Sequence, residues 1–297
     1  MEPTNGEKNK KWLAFEFWSR KIDLKILKFI VVLIIIIASI IIIKDEIFWQ
    51  LDFNLPAEDN LTEEDNCNVS GIELHGNLLT YISPTNLDKD GNVLEDQTAS
   101  ENIVYFINEA EKDENIKAII LEIDSYGGSP VAAEEISNTL KNAKKPTVAL
   151  IRDGGVSAAY LAATGADKIF ASKNSDVGSI AVTMSYLDNV RQNQKEGLTF
   201  NQLSSGKFKD TGDPNKTLSA EEIKLLMRDV NIIHQNFIKT VAENRNLDIK
   251  KVEGLADGST MLGEMALKNG LIDQIGGVFE VKEYLKEKIG EEVEICW

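Results

Sequence analysis

The chain has 297 residues, 43% apolar and 27% charged, a globular balance that excludes wholesale disorder and a polytopic membrane protein. A net charge of −16 excludes nucleic-acid binding through a broad basic surface. Two cysteines (Cys67, Cys296) and two histidines (His75, His234) exclude a disulfide-dense scaffold and a cluster with zinc spacing.

Phe29 to Ile43 carries no charge and is mostly Ile and Val. With Ile26 and Leu27 added, residues 26–43 are expected to form one membrane-spanning helix, with Lys25 and Lys28 snorkelling to the interface. No small-x-small cleavage site follows, so the segment reads as a retained signal anchor. Residues 1–28 hold seven basic groups against four acids. The positive-inside rule therefore places residues 1–25 in the cytoplasm and everything after residue 43 outside it. Residues 44–69 read as an acidic stalk, and residues 70–297 as one extracytoplasmic domain.

In that domain Val69 to Ile82 predicts two strands with a turn at Gly76-Asn77. Helix and strand then alternate. Ile103–Ala110 is helical, Ala118–Ile123 a strand, Pro130–Leu140 helical and Thr147–Ile151 a strand. Ser157–Ala163 starts a small-residue helix, and Lys168–Ala171 is a strand. Gly178–Val182 continues extended, and Leu198–Leu203 is another strand. Ser219–Asn244 is a long helix opened by the capping box Ser219-x-x-Glu222. Strands separated by helices imply an α/β fold of βαβ units.

Three segments carry chemistry. Asp124-Ser125-Tyr126-Gly127-Gly128-Ser129-Pro130 joins a strand to a helix, and its glycines let the backbone come close and present bare N–H donors. Asp153-Gly154-Gly155-Val156-Ser157-Ala158-Ala159-Tyr160 places Ser157 at a helix N-terminus. The macrodipole there favours developing negative charge, and the Ala158 N–H is placed to serve as an oxyanion donor. A phosphate loop is excluded, because no Gly-Lys-Ser/Thr follows. A nucleophilic serine needs a base. His234 falls inside the long helix near its packed face and His75 lies in the first strand pair, so both read as structural. The base is then a lysine kept neutral by burial. Ser204-Ser205-Gly206-Lys207-Phe208-Lys209-Asp210 offers Lys207 and Lys209, which geometry alone does not separate.

In order, these segments resemble the motifs of the signal peptide peptidase A family, membrane-anchored serine proteases of the ClpP/crotonase-like fold. Ser125-Tyr126-Gly127-Gly128 stands where the family has Ser-Pro-Gly-Gly. Ser157-Ala158-Ala159-Tyr160 stands for Ser-Gly-Gly-Tyr, and Ala166-Asp167-Lys168-Ile169 for Ala-Asp-x-Ile. Gly178-Ser179-Ile180-Ala181-Val182 stands for Gly-Ser-Ile-Gly-Val, and Gly206-Lys207-Phe208-Lys209 for Gly-x-x-Lys. Gly263 to Asp273 follows the family's Gly-x-x-Ala-x-x-x-Gly-Leu-Val-Asp.

The resemblance implies Ser157 as nucleophile, Lys209 as general base and Ser179 as the group orienting that lysine. It implies Gly128 and Ala158 as oxyanion-hole donors, and no metal or cofactor. It also implies peptide substrates such as remnant signal peptides and other hydrophobic or unfolded segments. This is a single-domain form, for which the resemblance suggests a ring-like homo-oligomer, an octamer, anchored in membrane lipid. Two other readings stay open: an inactive membrane-anchored scaffold, suggested by Ala158-Ala159, and a crotonase-like acyl-CoA enzyme. The extracytoplasmic compartment permits a Cys67–Cys296 disulfide and leaves the pairing open.

Overall fold

The unbroken apolar runs of the sequence become strands covered on both faces. The computed structural model describes residue 33, residues 67–83 and residues 96–297. The expected cytoplasmic segment, nearly all of the membrane segment and most of the stalk lie outside these residues. Among the described residues no helix is long and apolar enough to cross a membrane.

In chain order the elements begin with β1 (Val69–His75), β2 (Asn77–Leu79), β3 (Gln97–Ala99), α1 (Ser100–Lys112), β4 (Ala118–Ser125), α2 (Pro130–Asn142) and β5 (Thr147–Val156). Next come α3 (Ala158–Ala163), β6 (Lys168–Ala171), β7 (Asp176–Gly178), α4 (Val190–Lys195), α5 (Ala220–Asn244) and α6 (Ile249–Leu255). The last are β8 (Thr260–Leu262), α7 (Gly263–Asn269), β9 (Gln274–Ile275), α8 (Val278–Ile289) and β10 (Ile295–Cys296). They belong to a compact unit running from Asn66 to Trp297.

The main sheet has the order β10-β1-β4-β5-β6-β9, and every pair along it is parallel. Strand β5 forks. Its first half pairs with β6, and Gly154–Val156 pairs with β7, which runs antiparallel to β8. Alternation along β4 divides its side chains between two cores. Ile119, Leu121 and Ile123 join the larger cluster with Ile103 and Ile107 of α1, Ala132, Ala133 and Ile136 of α2, and all of α3. Ala118 and Ile120 join a smaller one with Phe170 and with Val281 and Leu285 of α8. Helix starts follow the sequence signals. Ser129 accepts from the Ala132 N–H ahead of Pro130, and Ser219 and Glu222 form the expected capping box.

The two strands β1 and β2 lie either side of the expected turn at Gly76 (φ 63°), and β2 leaves to pair in parallel with β3 in a separate two-stranded sheet. Two expectations are corrected. Leu198–Leu203 is not a strand, since its residues are exposed and no strand among the described residues supplies ladder partners. The strand before Ser179 ends at Gly178, because Ser179 (φ 53°) turns out of extended geometry.

Cys67 and Cys296 form a disulfide with Cα atoms 5.7 Å apart, across 229 residues. It closes the ends of the unit where β10 pairs with β1, and Asn68 adds a hydrogen bond to the Glu292 carbonyl at 2.8 Å. Trp297 lies on Gly71 so closely that a Cβ there would come within 2.3 Å of the ring. Opening so long a loop costs about 2–5 kcal/mol. Reduction of the purified domain, or Cys296→Ser, is therefore expected to lower the thermal midpoint, and an unchanged melting curve under reductant would refute that contribution.

Candidate active site

Two strand-to-helix turns meet at one edge of the sheet. Strands β4 and β5 are neighbours, and after a register shift Ser125 pairs with Gly155. The two chains then leave the sheet side by side, as Tyr126-Gly127-Gly128 and as Ser157-Ala158. Ser125 is buried and shapes the first turn: its hydroxyl donates to the Gly76 carbonyl (2.6 Å) and accepts from the Gly127 N–H (3.2 Å). Leu78 of β2 holds the turn from the other side. It takes the Gly127 carbonyl on its N–H (2.9 Å) and the Ser129 N–H on its carbonyl (2.7 Å). The flanking groups are thus used, and the Gly128 N–H faces away from β2 with no hydrogen-bond partner among the described residues. Gly128 has φ 151°, and a Cβ there would lie 2.1 Å from the Leu78 oxygen. Only glycine tolerates that approach.

Ser157 has φ 54° and ψ −127°, a conformation that costs a non-glycine residue about 1–3 kcal/mol. Its N–H donates to the Gly178 carbonyl at 2.8 Å, which fixes the turn. The side chain is half-buried, and its Oγ has no hydrogen bond among the described residues. A Cβ on Gly127 would stand 2.9 Å from the Ser157 Cβ, 3.2 Å from its Oγ and 3.2 Å from the Ala158 nitrogen. The glycine therefore leaves a space that Oγ and the Ala158 nitrogen both border. That N–H is also without a partner among the described residues. Helix α3 is only six residues long, so individual N–H groups rather than a macrodipole provide the local polarity. Ala158 and Ala159 are buried in the larger core.

Other motif residues hold the strands and turns behind the site in place. Asp167 accepts the Thr147 N–H (2.9 Å), and Asp273 accepts the Ile169 N–H (2.8 Å) while pairing with Arg245 (2.9 Å). The Tyr160 hydroxyl donates to the Leu271 carbonyl, and burial pushes its pKa up. Tyr126 is exposed, its ring covers Gly154, and its hydroxyl donates to Asp153 at 3.1 Å. That hydrogen bond is the first cause raising its pKa.

Ser179 donates its hydroxyl to the Gly258 carbonyl at 3.0 Å, which leaves its oxygen free to accept. The two lysines left open by the sequence differ. Lys207 pairs with Glu221 (2.6 Å) and lies 5.4 Å from the Phe208 ring centre. Lys209 is exposed, and its ammonium has no hydrogen bond or ion pair among the described residues, to Ser157 and Ser179 included. Within one chain the structure joins Gly128, Ser157 and Ala158 and does not bring Lys209 to them. Neither histidine bonds to Ser157. His234 is half-buried, with a buried Nε2 that lacks a partner among the described residues. His75 Nε2 lies 3.4 Å from Glu122, close enough for an electrostatic contact and too poorly aligned for a hydrogen bond. Glu73, His75 and Glu122 bring ligand-type atoms within 4.8 Å of one another. Arg152, 2.8 Å from Glu122, already supplies the positive charge that buried carboxylate needs.

The roles not anticipated from sequence are those of Ser125, of Leu78 and of a half-buried ionic group behind Lys209. There Lys216 bonds Glu222 (2.6 Å) and Asp210 (3.0 Å). The capping-box signal marked Glu222 but not this second use. The Lys216 ammonium, the Ser219 N–H and the Ser219 hydroxyl hold the Glu222 carboxyl at about 2, below its ordinary 4.5.

A model of peptidase family S49 matches residues 139–292, and the chain belongs to that family. It is 36% identical over 177 residues to a putative protease of Methanocaldococcus jannaschii, covering 58% of this chain and 57% of the relative. It is 32% identical over 196 residues to a putative signal peptide peptidase SppA of Enterococcus faecium, covering 65% and 57%. The chain thus spans little more than half the length of these curated relatives. Among solved structures, a ClpP1 mutant from Listeria monocytogenes aligns with TM-score 0.45 and 13% identity over 71% of this chain and 92% of its own.

Because the folded pKa of Glu222 is depressed, the stability it contributes is complete above about pH 4.5 and is lost as pH falls toward about 2. Acid unfolding of Glu222→Gln is expected to lack that component between these values. Superimposable acid limbs for the two proteins would contradict it.

Proposed function

We propose that the chain is a membrane-anchored serine endopeptidase in which Ser157 is the nucleophile and Lys209 the general base. The observation that carries this reading is the strained Ser157 turn, whose free Oγ and unpartnered Ala158 N–H share the space left by Gly127, the residue before the unpartnered Gly128 N–H. Family membership points the same way. Ser157 Oγ attacks the peptide carbonyl carbon as Lys209 Nζ accepts its proton. The Gly128 and Ala158 N–H groups donate to the oxyanion. The intermediate collapses, the C–N bond breaks, and the leaving amine takes the proton from Lys209. Water, deprotonated by Lys209, then hydrolyses the ester and frees Ser157. Ser179, accepting from the lysine, fixes its direction. No cofactor enters these steps.

The free Lys209 ammonium, set against the paired Lys207, favours Lys209 as base, and its separation from Ser157 within one chain favours a base supplied by a second copy. The segment before it carries uncovered apolar side chains: Leu187 is 86% exposed and Leu203 fully so, with Met184, Tyr186, Leu198 and Phe200 also on the surface. Such a surface suits burial against another subunit. A head-to-tail contact of that kind closes into a ring or grows into a filament. A ring of such chains, an octamer, anchored through residues 26–43 with the domain outside the cytoplasm, would admit extended hydrophobic peptides, remnant signal peptides among them. The burial of the Ala158 and Ala159 side chains removes the main support for an inactive scaffold.

Ser157→Ala and Lys209→Ala are each expected to reduce peptide hydrolysis by several orders of magnitude, and Lys207→Ala to retain substantial activity. Wild-type turnover by Ser157→Ala, or failure of the wild-type serine to label with a fluorophosphonate, would end the reading. Co-assembly of Ser157→Ala with Lys209→Ala chains is expected to restore part of the activity. No recovery in verified mixed oligomers would place both residues within one subunit.

A further inference from the structure

Lys209 stands on a loop with little to hold it. Residues 201–209 are all exposed, and the local turn is made by hydrogen bonds from the Ser204 hydroxyl and the Lys209 N–H to the Gly206 carbonyl. Order returns at the next residue. Asp210, Lys216 and Glu222 have side chains 18%, 18% and 5% exposed and form one ionic group. Asp210 Oδ1 and Glu222 Oε1 both accept from Lys216, and Thr211 adds a hydrogen bond to Glu222 Oε1 at 3.3 Å. Asp210 Oδ2 is buried with no hydrogen-bond partner among the described residues, so Lys216 is the charge that compensates it.

Helix capping does not explain this group. The cap uses the other oxygen of Glu222, Oε2, which accepts from the Ser219 N–H (2.8 Å) and hydroxyl (2.9 Å). Lys216 and Asp210 add nothing to that cap. What they do is pin the residue after Lys209 to the first turn of α5, the rigid 25-residue helix. We propose that Lys216 is a positioning residue for the base: by clamping Asp210 to Glu222 it fixes the backbone from which Lys209 is presented and neutralises the carboxylates beside it. This rests on the reading of Lys209 as base.

Two consequences separate a positioning role from a merely structural one. A base displaced by about 1 Å loses rate rather than substrate affinity. The other charges near this loop are the Lys207–Glu221 pair and Asp213, whose carboxylate is taken up by Asn215. Without Lys216, Asp210, the chain neighbour of Lys209, and Glu222 behind it are left uncompensated. Uncompensated carboxylates favour a protonated lysine, which is useless as a base, so the activity profile must move toward higher pH.

The test uses the full chain in detergent with an unstructured peptide. Lys216→Met is expected to lower kcat about 10- to 100-fold with KM near wild type, and to move the rising limb of the pH profile to higher pH. Lys216→Arg, which keeps the charge and the bidentate reach, is expected to recover both. Glu222→Gln keeps the cap's acceptor and removes one carboxylate. It is expected to lower kcat and move the limb the opposite way, and it carries the test if thermal melts show Lys216→Met unfolded. Lys209→Ala is assayed alongside. If it is inactive while Lys216→Met and Glu222→Gln keep wild-type kcat and pH limb, the clamp is refuted and the base assignment stands. If Lys209→Ala turns over normally, the base assignment itself fails.

Discussion

Three stretches of backbone approach one another more closely than side chains permit, and the candidate site depends on that contact. Leu78, Gly127-Gly128 and Ser157-Ala158 pack main chain against main chain. A Cβ at Gly128 would overlap the Leu78 oxygen, and one at Gly127 would crowd Ser157. The approach consumes the Gly127 carbonyl and the Ser129 N–H, and so determines which N–H remains free. Ser157 then adopts its positive φ because the Gly178 carbonyl takes its N–H and the small residues of α3 lock into the core behind it. Strain at a single residue persists when its surroundings over-determine it, and here they do so from three sides.

Parallel pairing brings the pieces together. Strands β4 and β5 run the same way, so both chemistry-bearing turns emerge at one edge, where open α/β sheets collect their ligands. The fork in β5 brings β7, and with it the Gly178 carbonyl, to the base of the Ser157 turn. Asp167 and Asp273 accept N–H groups that would otherwise be left over at the starts of β5 and β6. Several motif residues therefore hold the scaffold and do no chemistry of their own.

Continuous apolar runs and helical spacing made β4, β5, β6, α1, α2 and α5 legible, because covered strands and amphipathic helices leave a periodic trace. Partner choice left no such trace. The turn at Gly76-Asn77 looks the same whether the next strand folds back as a hairpin or, as here, departs to β3. Leu198–Leu203 carries strand-like residues but has no ladder partner among the described residues, a matter decided by distant chain. At the site, the Gly-Gly and serine turns were readable from residue type, and the resemblance ordered them. Nothing in the sequence marks Leu78 as the residue that aims Gly128, since its role is played by main-chain atoms. Lys207 and Lys209 are equivalent by spacing, and it is the presence of Glu221 near one of them that separates the two.

The two parts of the proposed site are built from different materials. The serine part is largely buried backbone, fixed against a core of covered side chains. The proposed lysine part is exposed chain, tied to α5 by the solvent-exposed Lys207–Glu221 pair and by the more covered ionic group at its far end. Ordering such a loop costs conformational entropy, and little apolar burial within the chain offsets it. In the proposed assembly a neighbouring copy would cover Leu187 and Leu203 and offset that cost, while excluding the water that keeps a lysine charged. The clamp behind Lys209 would reduce the cost further by fixing one end of the loop beforehand. On this reading the nucleophile is prepared by folding and the base by association, so an unassembled chain holds a strained serine with no base to activate it.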